Sequence, residues 1–544
     1  MSDRLLPLAT AVLLVLAGCS GAAPGGDGGG ASGGSAVGLA VGGAQDVNDF
    51  RNNVHEGYLP HPGSLTAEGL FHDYYFETGG RESCERLFCP SYARAVSRDP
   101  LSNETERYLA VGLNSGIESF ERPPLNLVVV LDTSGSMDAE MTEYYYDNGT
   151  ASSETRSKLA VARESVLSLT AHLDEDDRFG LVTYSDDARV VHELRSVGET
   201  NLDGLRDRVS DVRAGGGTNL EAGMRAAEAM VADVATDGDR ETRVVYVTDA
   251  MPNLGETSGE ALHSRLKAMA DAGVYSTFVG VGVDFNPRLV ERINAVPGAN
   301  HYVVESASAF RERMDEGFDY MVTPLVFDLT LTVESDAYDV EAVYGSPDAD
   351  PATGEMLHVH TLFPSRKTEN GTEGGVVLVR VNRTDPEADP ALALTASYET
   401  RDGERETVER TVSFDGLAPG TYDTTGVRKA VALGRYVDLM HNWLAYEREA
   451  AAGDPEEPAS GIERRERPLG EWEQRSTALR VSPVYAERIA AFRDYFAAER
   501  DALDDPTLDR ELDVLSTLLA AADPRNAEAS SGDGAESAGA NATA

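Results

Sequence analysis

Residues 128–138 read VVVLDTSGSMD, an apolar run that ends in an acid followed by hydroxyl-bearing side chains. The four apolar residues Val128–Leu131 are typical of a strand that is buried on both faces of a sheet. Asp132, Ser134 and Ser136 follow at the point where such a strand emerges, and ligand sites of open α/β sheets form at that edge. The stretch therefore predicts an α/β fold with a functional site directly after this strand.

The segment around this motif, from 124 to 322, alternates strand-like runs with helix-like runs. RFGLVTYS, TRVVYVTDA and VYSTFVGVG are strand-like, whereas SKLAVARESVLSLTAHL and NLEAGMRAAEAMVADVA are helix-like. Such alternation requires crossover connections, which produce a mostly parallel sheet with helices on both faces. We predict a doubly wound, Rossmann-like parallel-sheet domain over 124–322.

The 544 residues are too many for one compact core, so we predict a multidomain α/β protein. A small β-rich N-terminal domain is expected over 46–120. Short alternating strands predict a β-sandwich over 323–418, and apolar residues at helical spacing predict a helical C-terminal domain over 419–524. The polar tail over 525–544 is expected to be disordered.

The acidic composition bears on the environment of the protein and on its partners. There are 93 acidic and 47 basic residues, for a formal net charge of -46. The basic residues include four lysines, Lys158, Lys267, Lys367 and Lys429. Self-repulsion at this charge is costly in dilute salt but small near molar salt, where the Debye length is about 3 Å.

This composition favours a protein adapted to a very salty medium and resembles that of proteins from extreme halophiles. The alternative is a surface that attracts a cationic partner. Nucleic acid is not expected as a partner, because phosphate binding needs a basic stripe that this sequence lacks.

The N-terminus, MSDRLLPLATAVLLVLAGC, has the layout of a secretory signal, with one arginine, a short apolar run and small residues. Its last four residues, LAGC, resemble a lipobox, which implies a lipoprotein signal peptide over 1–18 and a lipid on Cys19. An ordinary signal with an incidental cysteine is the alternative. The Gly- and Ser-rich residues 19–45 predict a flexible tether. The expected location is the extracellular face of the cell membrane, with the lipid as the membrane contact.

The other two cysteines, Cys84 and Cys89, lie in the hexapeptide CERLFC. The oxidising exterior that an export signal implies favours a local disulfide between them. A zinc site would need two more ligands, and none lies nearby at a suitable spacing.

Two further motifs supply oxygen-bearing side chains next to predicted strands and helices. RAGGGTNLEAG places Thr218 on a Gly-rich turn before a helix, and VVYVTDAMPN places Asp249 at the end of a second buried strand. With Asp132, Ser134 and Ser136, they make a set of hydroxyls and carboxylates at one sheet edge. Such ligands suit a hard divalent cation, above all Mg²⁺, with Mn²⁺ and Ca²⁺ left open.

The DTSGS motif at 132–136, together with Thr218 and Asp249, resembles the metal-ion-dependent adhesion site (MIDAS) of the von Willebrand factor type A (VWA) domain. The whole chain also resembles secreted YfbK-like VWA lipoproteins. The resemblance implies that Ser134, Ser136 and often Thr218 hold the metal directly. It implies that Asp132 and Asp249 hold it directly or through water. It also implies an open coordination position for an acidic group of a protein or surface polymer, and hence a role in adhesion or as an envelope scaffold.

The connection after the motif, AEMTEYYYDNGTASSETR, is longer than the family's usual connection. Tyr144, Tyr145 and Tyr146 are expected near the rim of the metal site, where aromatic residues suit contacts with a partner. The alternative is a solvated insertion that carries a glycan on Asn148.

The same motifs disfavour several enzyme classes. A phosphotransferase with a strand-end aspartate nucleophile would have a second aspartate two residues after Asp132, where this chain has Ser134. A serine hydrolase needs G-x-S-x-G, and neither Ser134 nor Ser136 lies in that frame. The GGGTN turn lacks the lysine of a phosphate-binding loop. We expect a binding protein and no enzyme; the alternatives are a structural envelope protein with a non-essential metal site and a hydrolase.

Overall fold

The computed structural model describes most of the chain between residues 37 and 522. The described residues are 37–79, 84–117, 120–141, 156–234, 240–249, 254–255, 257–282, 292–293, 295–304, 306–346, 355–452 and 477–522. The predictions for the signal peptide, Cys19, Tyr144–Tyr146 and the tail over 525–544 fall outside these residues. Within the described ranges, no helix combines the length and the apolar character that a membrane span requires.

The described strands are numbered in chain order. They are β1 Gly38–Val41, β2 Gly43–Ala44, β3 Tyr75–Phe76, β4 Ser91–Arg98, β5 Thr105–Gly112, β6 Leu125–Asp132, β7 Glu140–Met141, β8 Arg156–Ser157, β9 Arg178–Tyr184, β10 Ala188–Ser196, β11 Glu241–Thr248, β12 Val274–Val281, β13 Asn300–Val304, β14 Val326–Glu334, β15 Tyr338–Tyr344, β16 Glu355–Ser365, β17 Lys367–Thr368, β18 Gly371–Glu373, β19 Val376–Arg383, β20 Ala391–Thr400, β21 Arg405–Ser413 and β22 Thr421–Tyr422.

The described α-helices are numbered in the same way. They are α1 Asn48–His55, α2 Ala67–His72, α3 Lys158–Ala171, α4 Leu202–Ser210, α5 Leu220–Val231, α6 Gly259–Asp271, α7 Ala307–Val322, α8 Thr425–Ala452, α9 Pro483–Leu503 and α10 Asp509–Ala521. Short 3₁₀ turns lie at Pro62–Ser64, Gly135–Asp138, Val197–Glu199 and Pro506–Leu508.

A seven-stranded sheet in the order β10-β9-β6-β11-β12-β13-β2 forms the centre of the predicted doubly wound domain. β6 pairs in parallel with β9 and with β11, and β11 pairs in parallel with β12. The edge strand β10 runs antiparallel to β9. Apolar residues of α3, α4 and α7 pack on one face, and those of α5 and α6 pack on the other. The predicted α/β fold is confirmed, with one antiparallel strand at its edge.

The central strand β6 is buried along its whole length because both faces of the sheet are covered. Leu127, Val129 and Leu131 point to the face of α3, whereas Val128 and Val130 point to the face of α5. This double burial explains the uninterrupted apolar run in the sequence. It also places the end of β6 between the ends of β9 and β11 at the carboxyl edge of the sheet.

The predicted β-sandwich consists of two antiparallel sheets that share a core. Their strand orders are β1-β16-β14-β20-β21 and β15-β19-β5-β4-β22. Leu331 and Leu394 from the first sheet meet Leu109 and Val379 from the second in this core. The sandwich is therefore present, but it includes strands from far outside 323–418.

The prediction of a separate β-rich domain over 46–120 is wrong. β4 and β5 belong to the second sandwich sheet, where β5 pairs with β19. Helices α1 and α2 share a core with the C-terminal helices. The physical reason lies in β5, since Tyr108 and Ala110 face the helical core while Leu109 and Val111 face the sandwich core. A strand that is apolar on both faces needs cover on both sides, which this short segment does not supply alone.

The tether predicted over 19–45 ends earlier than expected. β1 pairs with β16 of the sandwich, and β2 pairs with β13 at the edge of the seven-stranded sheet. Leu39 is fully buried, and a Cβ at Gly42 would come within 2.8 Å of the Phe363 ring. The glycines of this stretch therefore allow close packing of the backbone, which composition alone does not distinguish from flexibility.

The C-terminal helices do not form the independent domain predicted over 419–524. Their predicted apolar stripes are confirmed as core, with the buried residues Leu433, Val437, Met440 and Leu444 on α8 and Tyr485, Ile489, Phe492 and Phe496 on α9. This core continues into Tyr108 and Leu378 of the second sandwich sheet. The helices cover the outer face of that sheet, so sandwich and helices make one packed unit.

A buried ion cluster joins the N-terminal and C-terminal parts of this unit. Arg51 on α1 lies 2.6 Å from Glu511 Oε1 on α10 and 2.7 Å from Asp73 Oδ2. The Tyr74 hydroxyl donates a hydrogen bond of 2.6 Å to Glu511 Oε1. Arg51 is 2% exposed and Glu511 is fully buried. Sequence reasoning missed this cluster because Arg51 and Glu511 are 460 residues apart.

The predicted disulfide between Cys84 and Cys89 is present. Between the two cysteines, Phe88 is buried in the sandwich core and packs edge-on against Tyr398, with the ring centroids 5.5 Å apart. The disulfide therefore closes a short loop that anchors an aromatic side chain in the core.

Candidate metal centre

The five residues predicted as metal ligands lie on neighbouring loops at the carboxyl edge of the seven-stranded sheet. Asp132 ends β6 and Asp249 follows β11, the parallel neighbour of β6. Ser134 and Ser136 lie in the loop and 3₁₀ turn after β6, and Thr218 precedes α5. Their role as ligands stays a prediction, but the fold brings them to the same edge.

The Gly-rich turn that carries Thr218 is bonded to the loop that carries the serines. The Gly135 amide donates to the Gly216 carbonyl at 3.0 Å, and the Gly215 amide donates to the Thr133 carbonyl at 2.8 Å. Gly216 has φ +86°, and a Cβ there would come within 2.8 Å of the Asp186 carboxylate. The turn therefore needs glycine at this position, and the two bonds fix it beside the DTSGS loop.

Three hydrogen bonds fix the carboxylate of Asp132, which is fully buried. Its Oδ1 accepts from the Ser134 amide at 2.8 Å. Its Oδ2 accepts from the Thr248 hydroxyl at 2.6 Å and from the Tyr184 hydroxyl at 3.0 Å. Sequence reasoning missed Tyr184 and Thr248, although each ends an apolar strand that neighbours β6.

The two serine hydroxyls lie side by side. Ser134 Oγ and Ser136 Oγ are 3.0 Å apart, which is hydrogen-bond distance. Ser134 is buried, whereas Ser136 is half-buried and faces the rim of the site. The pair thus offers two neutral oxygen atoms next to the buried acids.

Asp249 presents one partnered and one unpartnered oxygen, and both are buried. Its Oδ2 lies 3.3 Å from the Lys158 ammonium. Its Oδ1 has no hydrogen-bond partner among the described residues. A buried oxygen without a partner costs about 1–3 kcal/mol, so the described residues alone leave the site incomplete. A bound cation would satisfy this oxygen.

The donor set fits a divalent cation. Among the described residues, no group of three or more His, Cys, Asp or Glu side chains could hold a metal ion. The candidate centre instead combines the carboxylates of Asp132 and Asp249 with hydroxyl groups. Mg²⁺, Mn²⁺ and Ca²⁺ all accept oxygen ligands of this kind.

The ammonium group of Lys158 is the feature of the centre that sequence reasoning missed entirely. Lys158 is the first residue of α3 and is 5% exposed. It comes from a helix 91 residues before Asp249 in the chain. The only local hint in the sequence is that this residue is a lysine, a residue type that is rare in this chain.

We expect the affinity for Mg²⁺ to fall as the pH falls through about 6. Burial, and next the neighbouring charge of Asp249, raises the pKa of Asp132 from 3.8 to about 6. Below that pH a proton competes with the cation for the Asp132 carboxylate, whereas above it Asp132 is ionised and gives up no proton when the cation binds. Calorimetric titration on both sides of this pH, in buffers of different ionisation enthalpy, measures affinity and proton release together. Equal affinities without proton release at the lower pH would contradict this prediction.

Residues 127–252 match the family model of the von Willebrand factor type A domain. All five candidate ligands, and also Lys158, Tyr184 and Thr248, lie within this segment.

Two curated relatives are similar to the chain over part of their length. The uncharacterized protein YfbK of Escherichia coli K12 is 24% identical over 290 residues, which is 52% of this chain and 47% of YfbK. The inter-alpha-trypsin inhibitor heavy chain H4 of Sus scrofa is 24% identical over 220 residues, which is 38% of this chain and 21% of that protein. The chain therefore spans less than half the length of these relatives.

Among solved structures, a von Willebrand factor type A protein from Catenulispora acidiphila is similar to this chain with a TM-score of 0.40 and 13% identity. The similarity covers 66% of this chain and 82% of that one.

Proposed function

We propose, from the premise that the chain contains a von Willebrand factor type A domain over residues 127–252, that it binds an acidic group of another protein or of a surface polymer through a divalent cation. Mg²⁺ is the proposed cation, with Mn²⁺ and Ca²⁺ as alternatives. The residues that would hold it are Asp132, Ser134, Ser136, Thr218 and Asp249.

The observation that carries this proposal is the unpartnered buried oxygen of Asp249 at an edge that also presents paired hydroxyls. Asp249 Oδ1 is buried without a partner among the described residues, and Ser134 Oγ and Ser136 Oγ lie 3.0 Å apart on the neighbouring loop. Protein interiors rarely leave a buried carboxylate oxygen unpaired unless an ion or water completes it. A cation at this edge accounts for both features.

The ligand types explain why an acidic partner suits the site. Neutral hydroxyls do not cancel the charge of a cation, so a cation held partly by serine remains electropositive and attracts a carboxylate. Coordination acts at contact distance, so it persists in concentrated salt that screens longer-range attraction. Such binding suits an acidic protein in a salty medium.

The place of action that we propose is the extracellular face of a cell membrane, with a lipid on Cys19 as the anchor. The support is the N-terminal sequence, with its apolar run followed by LAGC. We propose a binding role without enzymatic activity. The motifs of the centre lack the second aspartate of a phosphotransferase, the G-x-S-x-G of a serine hydrolase and the lysine of a phosphate-binding loop.

The proposed function predicts Mg²⁺-dependent retention of the protein on immobilised polyglutamate. The chain from Ser20 onward is applied in roughly molar salt, where long-range attraction is screened to about 3 Å. Retention is expected with Mg²⁺, and release is expected when a chelator is added. The Ser134→Ala, Ser136→Ala variant is expected to pass through the column, whereas a variant with the exposed Ser264 changed to alanine is expected to behave like the unmodified chain.

Two results would contradict the proposal. Retention that survives the chelator or the double serine substitution would show attachment by another surface. A chain that binds Mg²⁺ but no carboxylated polymer or cell-envelope fraction would favour the alternative of a structural envelope protein with a non-essential metal site.

A further inference from the structure

The side chain of Lys158 reaches from a helix terminus into the candidate metal centre. Lys158 begins α3, and its amide donates to the Ala139 carbonyl at 2.9 Å, which ties the helix start to the turn after the DTSGS motif. Its ammonium lies 3.3 Å from Asp249 Oδ2. The Lys158 side chain is 6% exposed and that of Asp249 is fully buried, so the contact is shielded from solvent.

The position of Lys158 is electrostatically unfavourable, apart from its contact with the carboxylate of Asp249. The N-terminal end of a helix carries partial positive charge, so a cation in the first turn is disfavoured there. Burial adds a desolvation cost. All four lysines of the chain lie within the described residues, and Lys158 is the only one that is buried. The single buried lysine therefore sits at the candidate metal centre.

The packing around Lys158 suits a slender side chain. A Cβ at Gly282, directly after β12, would come within 2.8 Å of Lys158 Cε. Gly282 has φ +91°, a conformation that favours glycine. Lysine ends in a compact point charge, whereas the planar guanidinium of arginine needs more room. The limited space beside Gly282 explains why this position has lysine, although most basic residues of the chain are arginine.

We propose that Lys158 sets the charge of the metal centre, weakening its hold on the cation and strengthening its hold on the partner's carboxylate. This inference rests on the proposed function. With Asp132 and Asp249 ionised, a divalent cation alone would leave the centre neutral. The ammonium of Lys158 leaves the loaded centre with one positive charge, which an acidic partner neutralises. Lys158 would act as a positioning residue, because its charge acts through Asp249 without direct contact with the cation or the partner.

The test compares Lys158→Met, which keeps the length of the stem and removes the charge, with the matched variant Lys267→Met. Lys267 is exposed on α6 of the same domain. Calorimetric titration of Mg²⁺ into the chain from Ser20 onward measures cation affinity, and retention on polyglutamate at saturating Mg²⁺ measures carboxylate binding. Lys158→Met is expected to bind Mg²⁺ roughly tenfold more tightly, because a like charge near the cation has been removed, and to be retained several-fold less. Lys267→Met is expected to leave both quantities unchanged.

These opposite changes distinguish charge tuning from a purely structural role, which would weaken both kinds of binding together. Thermal unfolding in chelator checks that the variants fold; if Lys158→Met does not, Lys158→Gln retains a hydrogen-bond donor for Asp249 and serves in its place. If the unmodified chain binds Mg²⁺ and Lys158→Met binds it equally or more weakly, the proposed role of Lys158 is overturned and the proposed function stands. Absence of saturable Mg²⁺ binding by the unmodified chain overturns the proposed function and this inference together.

Discussion

The Ser134→Ala, Ser136→Ala double variant is expected to bind Mg²⁺ more than about 100-fold more weakly than the unmodified chain, since loss of a supporting residue alone costs 10–100-fold in metal sites. The two hydroxyls are hydrogen-bonded to each other at 3.0 Å, so removing both at once leaves neither one behind without its partner. Asp132 keeps its bonds from Thr248, Tyr184 and the Ser134 amide. The fold should therefore persist while two of the proposed ligands are lost.

Thermal unfolding with and without Mg²⁺ measures this effect without any partner. A ligand at 100 times its dissociation constant stabilises the folded state by about 2.7 kcal/mol, so the unmodified chain should unfold at a higher temperature in Mg²⁺. The double variant should show no such shift and should match the unmodified chain in chelator, as should Ser264→Ala in both conditions. An equal Mg²⁺-induced shift in the double variant would place the cation elsewhere.

Asp132→Ala is a less suitable variant for this purpose. It would remove the acceptor of the Ser134 amide and one acceptor of each of the Thr248 and Tyr184 hydroxyls. An unsatisfied buried donor costs about 1–3 kcal/mol, so loss of binding would be mixed with loss of stability. The structure thus decides which ligand substitution gives an interpretable result.

Glu511→Gln is expected to destabilise the protein by about 1–3 kcal/mol, because the amide has one acceptor oxygen in place of two and leaves a buried N–H donor of Arg51 unsatisfied. Glu511 accepts from Arg51 and from Tyr74, and its side chain is fully buried. Arg51 keeps Asp73 at 2.7 Å, so the cluster loses one of its two acids. The effect should persist in concentrated salt, since buried pairs are screened much less than exposed ones.

Denaturant unfolding of Glu511→Gln beside Glu487→Gln measures this cost. Glu487 is exposed on the neighbouring helix α9, where such a change is worth within about 0.5 kcal/mol. If both variants unfold at the same denaturant concentration, the ion cluster does not hold the N-terminal helix to the C-terminal helices. If only Glu511→Gln unfolds at a lower denaturant concentration, the stability of the segment over 46–120 depends on residues near the end of the described chain.

The α/β domain could be predicted from sequence because its signals are local. The run from Val128 to Leu131, the strand ends at Asp132 and Asp249, and the Gly-rich turn before Thr218 each lie within a few residues of one another. Parallel strands connected by helices leave few alternative arrangements, so these local signals determine which ends meet at the carboxyl edge. The same reasoning predicted the apolar stripes of α8 and α9 and the disulfide between Cys84 and Cys89.

Tertiary structure alone decided which distant segments complete each sheet. β1 and β2 are separated by one glycine, yet they pair with β16 of the sandwich and β13 of the α/β sheet. Nothing in the sequence of β5 specifies β19 as its partner, because backbone pairing is not encoded by residue type. Burial of both faces selects the arrangement, and that is a property of the whole packed chain.

The same division holds at the metal centre. The sequence by itself determined the five candidate ligands, since each belongs to a short motif at the edge of a strand or helix. Only the fold decided that Tyr184 and Thr248 fix Asp132, and that Lys158 places its charge on Asp249 from 91 residues away. The physical reason is that ligand types follow from local motifs, whereas the charge and hydrogen bonding around them depend on every element that packs against the site.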